Sequence, residues 1–419
     1  MDRLTENPQK TIAIVGAGIV GVSAAIWLQR EGHKVMLIDR GAPGDGTSYG
    51  NGGVLASVAI VPVTGPGLIA KAPRMLFDPN QPLFLKWGYL PKLMPWLVKY
   101  LRHANAEDAT RIAAALAPII GDSLADHQAL SAGTGAEKWI VPGDYVFGYG
   151  SRADYEAEAF AWKIRREHGF EPQEIEDFKA YDPVFSDKIG FGIKMPNHGR
   201  ITSPGDYVKD LARHAEANGA QMIKADVRGI LRENGQVTGL RTAGETIACD
   251  TVILATGVWS KPMADMLGLN VPLESERGYH IELWEPNFMP RGPIMIASGK
   301  FVVTPMEGRL RLAGVVELGG LKAPPSRAPF DLLKRQALAA MPGLTWARET
   351  EWMGHRPAPS DSIPVIGEVP GIKGAYLGFG HHHVGLTGGP KTGRLLAQMI
   401  SGRKPNIDVG VYSPSRFKR

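Results

Sequence analysis

The stretch TIAIVGAGIVGVSAAIWLQREGHKVMLIDR, Thr11 to Arg40, governs how the rest of the chain is read. Ile12 to Val15 is short, β-branched and uncharged, the pattern of a parallel strand buried on both faces. It breaks at Gly16, Gly18 and Gly21, which have the G-x-G-x-x-G spacing. The first glycine permits a tight turn, the second lets a pyrophosphate approach the backbone, and the third lets helix and strand pack closely. The helix that follows aims its unpaired N–H groups and the positive end of its dipole at those phosphates. Lys34 to Ile38 reads as a second strand that delivers Asp39 about 20 residues after the glycines, where a carboxylate binds a ribose hydroxyl and disfavours a phosphorylated ribose. A plain βαβ packing unit has no need of all these features together, so the stretch is read as one anchor of a dinucleotide.

The 419 residues hold material for about two to three domains. With 44% apolar and 21% charged residues the chain is globular rather than disordered. Cys249 is the single cysteine, which excludes an internal disulfide and a cysteine zinc cluster and suits a reducing cytoplasm. Its place in TIACDTVILATG reads as a buried structural thiol rather than a reactive or cofactor-linked one. A net charge of +5 is compatible with nucleic acid, an anionic membrane or acidic substrates. The charges are scattered apart from Ser413 to Arg419, with no recognisable nucleic-acid module, so no nucleic-acid partner is expected. The apolar N-terminal stretch is broken by glycines and lacks a small-residue cleavage site, so it is not read as an export signal. No uncharged apolar run is long enough to span a membrane.

After Asp39, GAPGDGTSYGNGG (Gly41 to Gly53) is too rich in glycine and small polar residues for a strand or helix. Such a loop wraps a ligand with its own N–H groups, and Thr47, Ser48 and Asn51 add side-chain donors. A nicotinamide enzyme would continue with another βα unit, so the loop points to a larger, embedded cofactor, FAD. LFLKWGYLPKLMPWLVKYLR (83–102) mixes apolar and aromatic anchors with basic residues, either a helical hairpin on the substrate domain or an interfacial membrane contact. Residues 107–131 and 152–168 have helical periodicity around a strand-like Trp139 to Gly150. Ser203 and Pro204 are N-cap and first residue of a helix reaching His214. Ala220 to Val227 and a hairpin turning at Asn234-Gly235 supply short strands, and Thr246 to Gly257 is a buried strand ending in a tight turn. Leu273 to Trp284 and 294–314 read as the sheet of a second domain, with a helix over Ala328 to Met341. From Trp352 to Gly402 the pattern predicts loops, one strand at Ala375 to Leu377, and a final helix.

Taken together, GAGIVG, the Ala255-Thr256-Gly257 turn, RGYH, WMGHRPAPSDSIPVIG and FGHHHVGLTGGPKTGRLLAQMISG resemble the FAD-dependent D-amino-acid oxidase superfamily, in particular bacterial D-amino-acid dehydrogenases. The likeness runs from Ile12 to about Gly402. It implies an α/β fold: a Rossmann-like FAD-binding domain interleaved with an α+β substrate domain containing a mixed sheet. The implied boundaries are 1–55, 200–272 and 345–405 for the FAD-binding domain, 56–199 and 273–344 for the substrate domain, and 406–419 for a tail. The resemblance places Gly16, Gly18 and Gly21 on the pyrophosphate of a non-covalent FAD, and Asp39 with Arg40 at the adenosine ribose. Thr47, Ser48, Asn51 and Gly52 would line the flavin side, while Val227, Thr256, Gly257 and Trp259 bracket the adenine and pyrophosphate. Gly380, His381, Gly385, Leu386 and Thr387 would sit against the flavin, where the start of the last helix stabilises negative charge on the reduced ring.

By the same likeness Arg356 binds the substrate carboxylate bidentately and Tyr279 helps hold the substrate; the alternatives are a structural salt bridge and a strand-core tyrosine. Where many members of the superfamily read Gly-His-Gly, this chain reads Gly380-His381-His382, with His383 next. Neighbouring residues rarely converge on one ion and no carboxylate or cysteine partner is spaced nearby, so no metal is expected. His382 is the histidine best placed to contact the substrate or tune proton transfer. The implied reaction is oxidation of a D-amino acid or a cyclic imino acid such as D-proline or D-hydroxyproline, with hydride passing from Cα to flavin N5 and electrons to a quinone or another carrier. The alternatives are a glycine- or sarcosine-type amine oxidase using oxygen and an NAD-dependent dehydrogenase. The expected location is cytoplasmic, with peripheral contact to the inner face of a membrane through 83–102.

Overall fold

The computed structural model describes residues 8–78 and 80–417. The first seven residues of the expected FAD-binding segment, and Lys418 and Arg419 of the basic tail, lie outside the described residues. Around the opening motif the chain forms a six-stranded sheet in the order β17 (Val365–Glu368), β18 (Ala375–Phe379), β11 (Thr251–Leu254), β1 (Thr11–Val15), β2 (Lys34–Asp39), β7 (Gln221–Lys224). All neighbours run parallel except β17 and β18. β1 is therefore central, which explains its unbroken apolar sequence: Ile12 and Ile14 join one core, Ala13 and Val15 another on the opposite face.

The first core packs α1 (Ile19–Arg30), α9 (Pro204–Ala217) and α12 (Gly385–Ile400) on the sheet. α1 and α12 cross closely because Gly389 and Gly393 leave room for Ile19 and Ser23. The opposite face carries α10 (Ser260–Met266) and an antiparallel sheet of β8 (Gly229–Glu233), β9 (Gln236–Arg241) and β10 (Thr246–Ala248), whose residues share the second core. Asn234 and Gly235 make the β8–β9 turn with φ of 49° and 77°, as a two-residue hairpin turn requires. Ser203 caps α9 in position only: its hydroxyl donates to the Asp206 carboxylate at 2.6 Å instead of accepting an N–H.

The larger sheet has the order β16 (Arg348–Pro359), β12 (Leu273–Trp284), β15 (Arg309–Leu318), β14 (Phe301–Met306), β13 (Ile294–Ile296), β4 (Ile140–Tyr149), β6 (Phe191–Ile201), β5 (Gln173–Ile175), with β3 (Leu83–Leu85) against β15. Two short helices, α6 (Arg152–Glu156) and α7 (Ala159–Glu167), lead from β4 to β5, and α8 (Phe178–Tyr181) leads on to β6; α11 (Arg327–Ala340) packs on the face opposite the cavity described below.

Several expectations are corrected here. WMGHRPAP is not loop but part of β16, paired with β12 from Leu273↔Pro359 to Trp284↔Arg348, so the segment from 345 contributes a strand to the mixed sheet before returning to β17. Its prolines obscured the strand pattern and are tolerated because β16 lies at the sheet edge. α4 (Ala106–Ile120) and α5 (Ser123–Ser131), expected in the substrate domain, bury Ile112, Ile119 and Leu130 in the core of β1, α1 and α12. Residues 83–102 are no hairpin: β3 is followed by one long helix, α3 (Leu90–Arg102), that buries Leu93, Trp96 and Tyr100. Ahead of it lies an unanticipated helix, α2 (Leu68–Phe77), with no buried residue. The expected separate tail is docked: the Tyr412 hydroxyl donates to the Ala115 carbonyl at 2.5 Å and Arg416 pairs with Asp361 at 2.9 Å.

Candidate active site

A cavity of about 1350 Å³ opens where the carboxyl ends of β1, β2, β11 and β18 meet the faces of β12, β15 and β16. This exceeds the roughly 300–1,000 Å³ of an ordinary small-molecule pocket and lies where doubly wound sheets bind ligands. Gly21 apart, every expected site residue lines it. Gly21 instead packs against the Gly16 carbonyl, where a Cβ would collide.

The nucleotide wall is mostly backbone. Gly16 has φ of 110°, and a Cβ there would land on the Ala255 carbonyl. Gly18 occupies the N-cap of α1 and offers no side chain, so Ser48 Oγ accepts the Ile19 N–H at 3.0 Å. Ser48 therefore stands beside the glycine turn, at the N-terminus of α1. The Asp39 carboxylate accepts the Ala17 N–H at 2.7 Å and the Gly41 N–H at 2.9 Å, bracing the glycine turn as well as reaching the cavity. Beside it the Arg40 guanidinium stacks 4.4 Å over Trp259. Val227 lies nearby on the same cavity, and the Thr256 hydroxyl pairs with Ser260 at 2.9 Å.

The Gly41 to Gly53 loop is irregular, as its composition predicts, but the mixed sheet holds it in place. The Thr47 hydroxyl donates to the His355 carbonyl at 3.0 Å, and His280 Nδ1 lies 3.1 Å from the Gly50 carbonyl. Arg311 donates to the carbonyls of Tyr49 and Asn51 at 2.8 and 2.5 Å. Arg311 is fully buried and shares Glu282 with Arg309. Burial opposes ionisation of Glu282, but the two guanidinium groups hold its pKa down at about 2. The reading from sequence missed Arg311, Glu282 and His280; their signal is charged or polar residues at every second position of otherwise apolar strands.

At the other end Gly380, with φ of 88°, lets the chain pass Pro359 and turn through His381 to Val384 into α12. α12 has no side-chain cap, and Gly385, Leu386 and Thr387 at its start line the cavity, leaving first-turn N–H groups available to an acceptor there. The His381 ring turns into α12, bonding Thr392 Oγ1 at 2.8 Å, and burial lowers its pKa to about 4.

Side chains build the far wall. Arg356 lies over Gly278, where a Cβ would come within 2.6 Å of the guanidinium carbon, and donates to the Gly314 carbonyl at 2.7 Å. Burial lowers its pKa and neighbouring Glu276, its partner in the β12–β16 register, opposes that shift. His382 places Nδ1 3.4 Å from the Glu276 carboxylate and Nε2 3.2 Å from the Pro359 carbonyl. Its φ of 48° is a left-handed conformation that costs a non-glycine residue roughly 1–2 kcal/mol. His383 is surrounded by protein yet open to the cavity, and its pKa is lowered to about 4 by burial and by His382 and Arg356. Tyr279 borders the cavity, but its hydroxyl is engaged in the core: it donates to Glu317 at 2.6 Å and accepts the Ser326 N–H at 3.0 Å, toward α11. Among the described residues no group of three or more histidine, cysteine, aspartate or glutamate side chains could hold a metal ion. Cys249 is buried away from the cavity.

A glycine cradle at the start of one helix, a second helix N-terminus without a side-chain cap and a clamped loop around one elongated cavity fit an extended dinucleotide. The family described as FAD dependent oxidoreductase matches residues 11–399. The chain belongs to this family. Its cofactor is FAD. Among the relatives of this oxidoreductase is a D-amino-acid oxidase of Bradyrhizobium diazoefficiens, 37% identical over 97% of this chain and 98% of the relative. D-amino acid dehydrogenase 2 of Ralstonia nicotianae is 30% identical over 97% of this chain and all of that protein. The glycine oxidase structure from Geobacillus kaustophilus superposes with a TM-score of 0.75 at 20% identity, covering 98% of this chain and all of the other, a likeness of fold.

Proposed function

We propose that this oxidoreductase oxidises the Cα–N bond of a D-amino acid or a cyclic imino acid such as D-proline or D-hydroxyproline. The observation that carries the reading is the half-buried Arg356 guanidinium on the cavity wall, with Glu276 beside it. A planar cation held in place by the Gly314 carbonyl suits a substrate carboxylate. The adjacent acid gives the wall the opposite charge within reach of an amine on the same carbon. FAD, when bound, supplies the acceptor for the hydride that leaves Cα. Arg356 would orient the substrate, His383 and His382 would border it, and the α12 N-terminus would favour negative charge on the reduced cofactor. The 37% identical D-amino-acid oxidase supports the substrate class.

The electron acceptor in this reading is a quinone or another carrier. α2 and α3 line the cavity through Leu68, Met75 and Leu97, and expose Ile69, Phe77 and Val98 beside Arg74 and Lys99. Such a rim suits peripheral contact with the inner face of an anionic membrane, from which an apolar carrier could enter. No helix among the described residues is long and apolar enough to cross a membrane.

Anaerobic mixing of the yellow protein with D- and L-amino acids, D-proline and N-methylated amines tests the substrate: bleaching of the flavin by D- or cyclic substrates is expected, and bleaching by glycine or sarcosine alone would replace this reading. Reoxidation by a quinone analogue rather than by air is expected, and sedimentation with anionic but not neutral liposomes would place the protein at a membrane.

A further inference from the structure

Glu276 and His382 are an acid and an imidazole on the cavity wall that carboxylate binding by Arg356 leaves unused. They come from elements far apart in the chain, β12 and the turn before α12. His382 Nε2 lies 3.2 Å from the Pro359 carbonyl, a contact satisfied only when that nitrogen carries a proton. The variable proton is then the one at Nδ1, which faces Glu276 Oε2 at 3.4 Å. The pair therefore holds or lacks one proton between these two atoms.

We propose that the Glu276–His382 pair accepts the proton of the substrate amine while Arg356 holds the carboxylate. This rests on the amino-acid reading of the site. A free amino acid arrives as an ammonium zwitterion, and Cα cannot release hydride until the nitrogen lone pair is free to form the imine bond. In the proposed step one substrate N–H bond breaks, its electron pair stays on nitrogen, and the proton joins Glu276 and comes to rest on His382 Nδ1. No oxidant takes part in that transfer. Glu276 and Arg356 are direct partners in the β12–β16 register, so acid and guanidinium stand side by side, as the amine and carboxylate of one carbon require.

The groups facing the pair are Arg356 of β16, the His383 ring, Tyr100 of α3 and, acting on His382, Asp361. Burial works against charge on both members. His382 nonetheless has a raised pKa, because Glu276 and the Pro359 carbonyl outweigh burial. Glu276 has a lowered pKa, because His382 and Arg356 outweigh burial there. The proton therefore rests on the imidazole, and the accepting state fills as pH rises through a value above 6.5.

The test is the pH dependence of anaerobic flavin reduction by D-alanine and D-proline in the FAD-loaded protein. The wild type should show one rising limb above pH 6.5. Glu276→Gln should lose about 100-fold near neutral pH, and the deficit should shrink progressively as the pH approaches the pKa of the substrate's own ammonium, later for D-proline than for D-alanine. His382→Gly, a residue suited to the φ of 48°, should move the limb down toward the carboxylate range. His383→Asn should leave the limb where the wild type has it, whatever its rate. As a readout independent of turnover, binding of cyclopentanecarboxylate, which has no amine, should change less than about threefold in Glu276→Gln. A Glu276→Gln deficit equal at every pH, an equal loss of carboxylate binding, or a limb moved by His383→Asn instead would overturn the proposal. Failure of the wild type to be reduced by any amino acid would overturn the functional reading itself, and the proton role with it.

Discussion

The two ends of the cavity are built from different materials. Where the glycine turn, Ser48 and the Gly41 to Gly53 loop meet, the wall is largely main chain, and its chemistry is a set of N–H groups held by crowding. Across the cavity the wall is Glu276, Arg356, His382 and His383, side chains whose charges depend on one another. A backbone wall binds what all members of a cofactor class share, because every residue carries the same N–H. A side-chain wall can be rewritten one residue at a time, so selectivity belongs there.

Substitutions separate the two walls. The largest effect is expected at Gly16→Val: its Cβ meets the Ala255 carbonyl at a φ of 110°, so the protein should purify without flavin and with a lowered Tm, read by absorbance and calorimetry. A variant that stays yellow would show that the turn adapts and that the backbone wall is less rigid than drawn. Next, Arg356→Ala should keep its flavin but lose about 100- to 1,000-fold in kcat/KM for amino acids, as two charged hydrogen bonds to a carboxylate would. Loss of flavin in that variant would instead make Arg356 part of the cofactor wall. Smaller still, Ser48→Ala should weaken FAD binding several-fold, measured by titrating the apoprotein, because one helix N–H loses its acceptor while the glycine cradle stays. The smallest effect on turnover is expected at Tyr279→Phe: kcat/KM within about twofold of wild type, with about 1–2 kcal/mol less stability from the stranded Glu317 and Ser326 groups. A large rise in KM would return Tyr279 to the substrate.

Tyr279 shows where the limit of sequence reading lies. RGYH resembles a substrate-binding strand, and β12 does border the cavity, but alternation puts Glu276, Gly278, His280 and Glu282 on one face and Tyr279, Ile281 and Leu283 on the other. Which face looks inward depends on α11 covering the opposite side. That is not written in the local pattern. The same holds for β16, where Pro357 and Pro359 hide a strand that only an edge position permits. α4 and α5 read correctly as helices, yet nothing in their periodicity assigns them to the core of α1 and α12.

The first βαβ unit, the irregular loop that follows and the helix start near Gly385 are legible in the sequence alone, because each is specified by contacts between residues close in the chain, where spacing and φ requirements suffice. Packing alone sets Glu276 beside Arg356 and His382, puts Arg311 on the Tyr49 and Asn51 carbonyls, and commits the Tyr279 hydroxyl to Glu317. Those relations join distant segments through sheet register and burial. A charged residue inside an apolar strand shows that some partner must exist, but the partner's identity follows only from the packing that makes its absence costly.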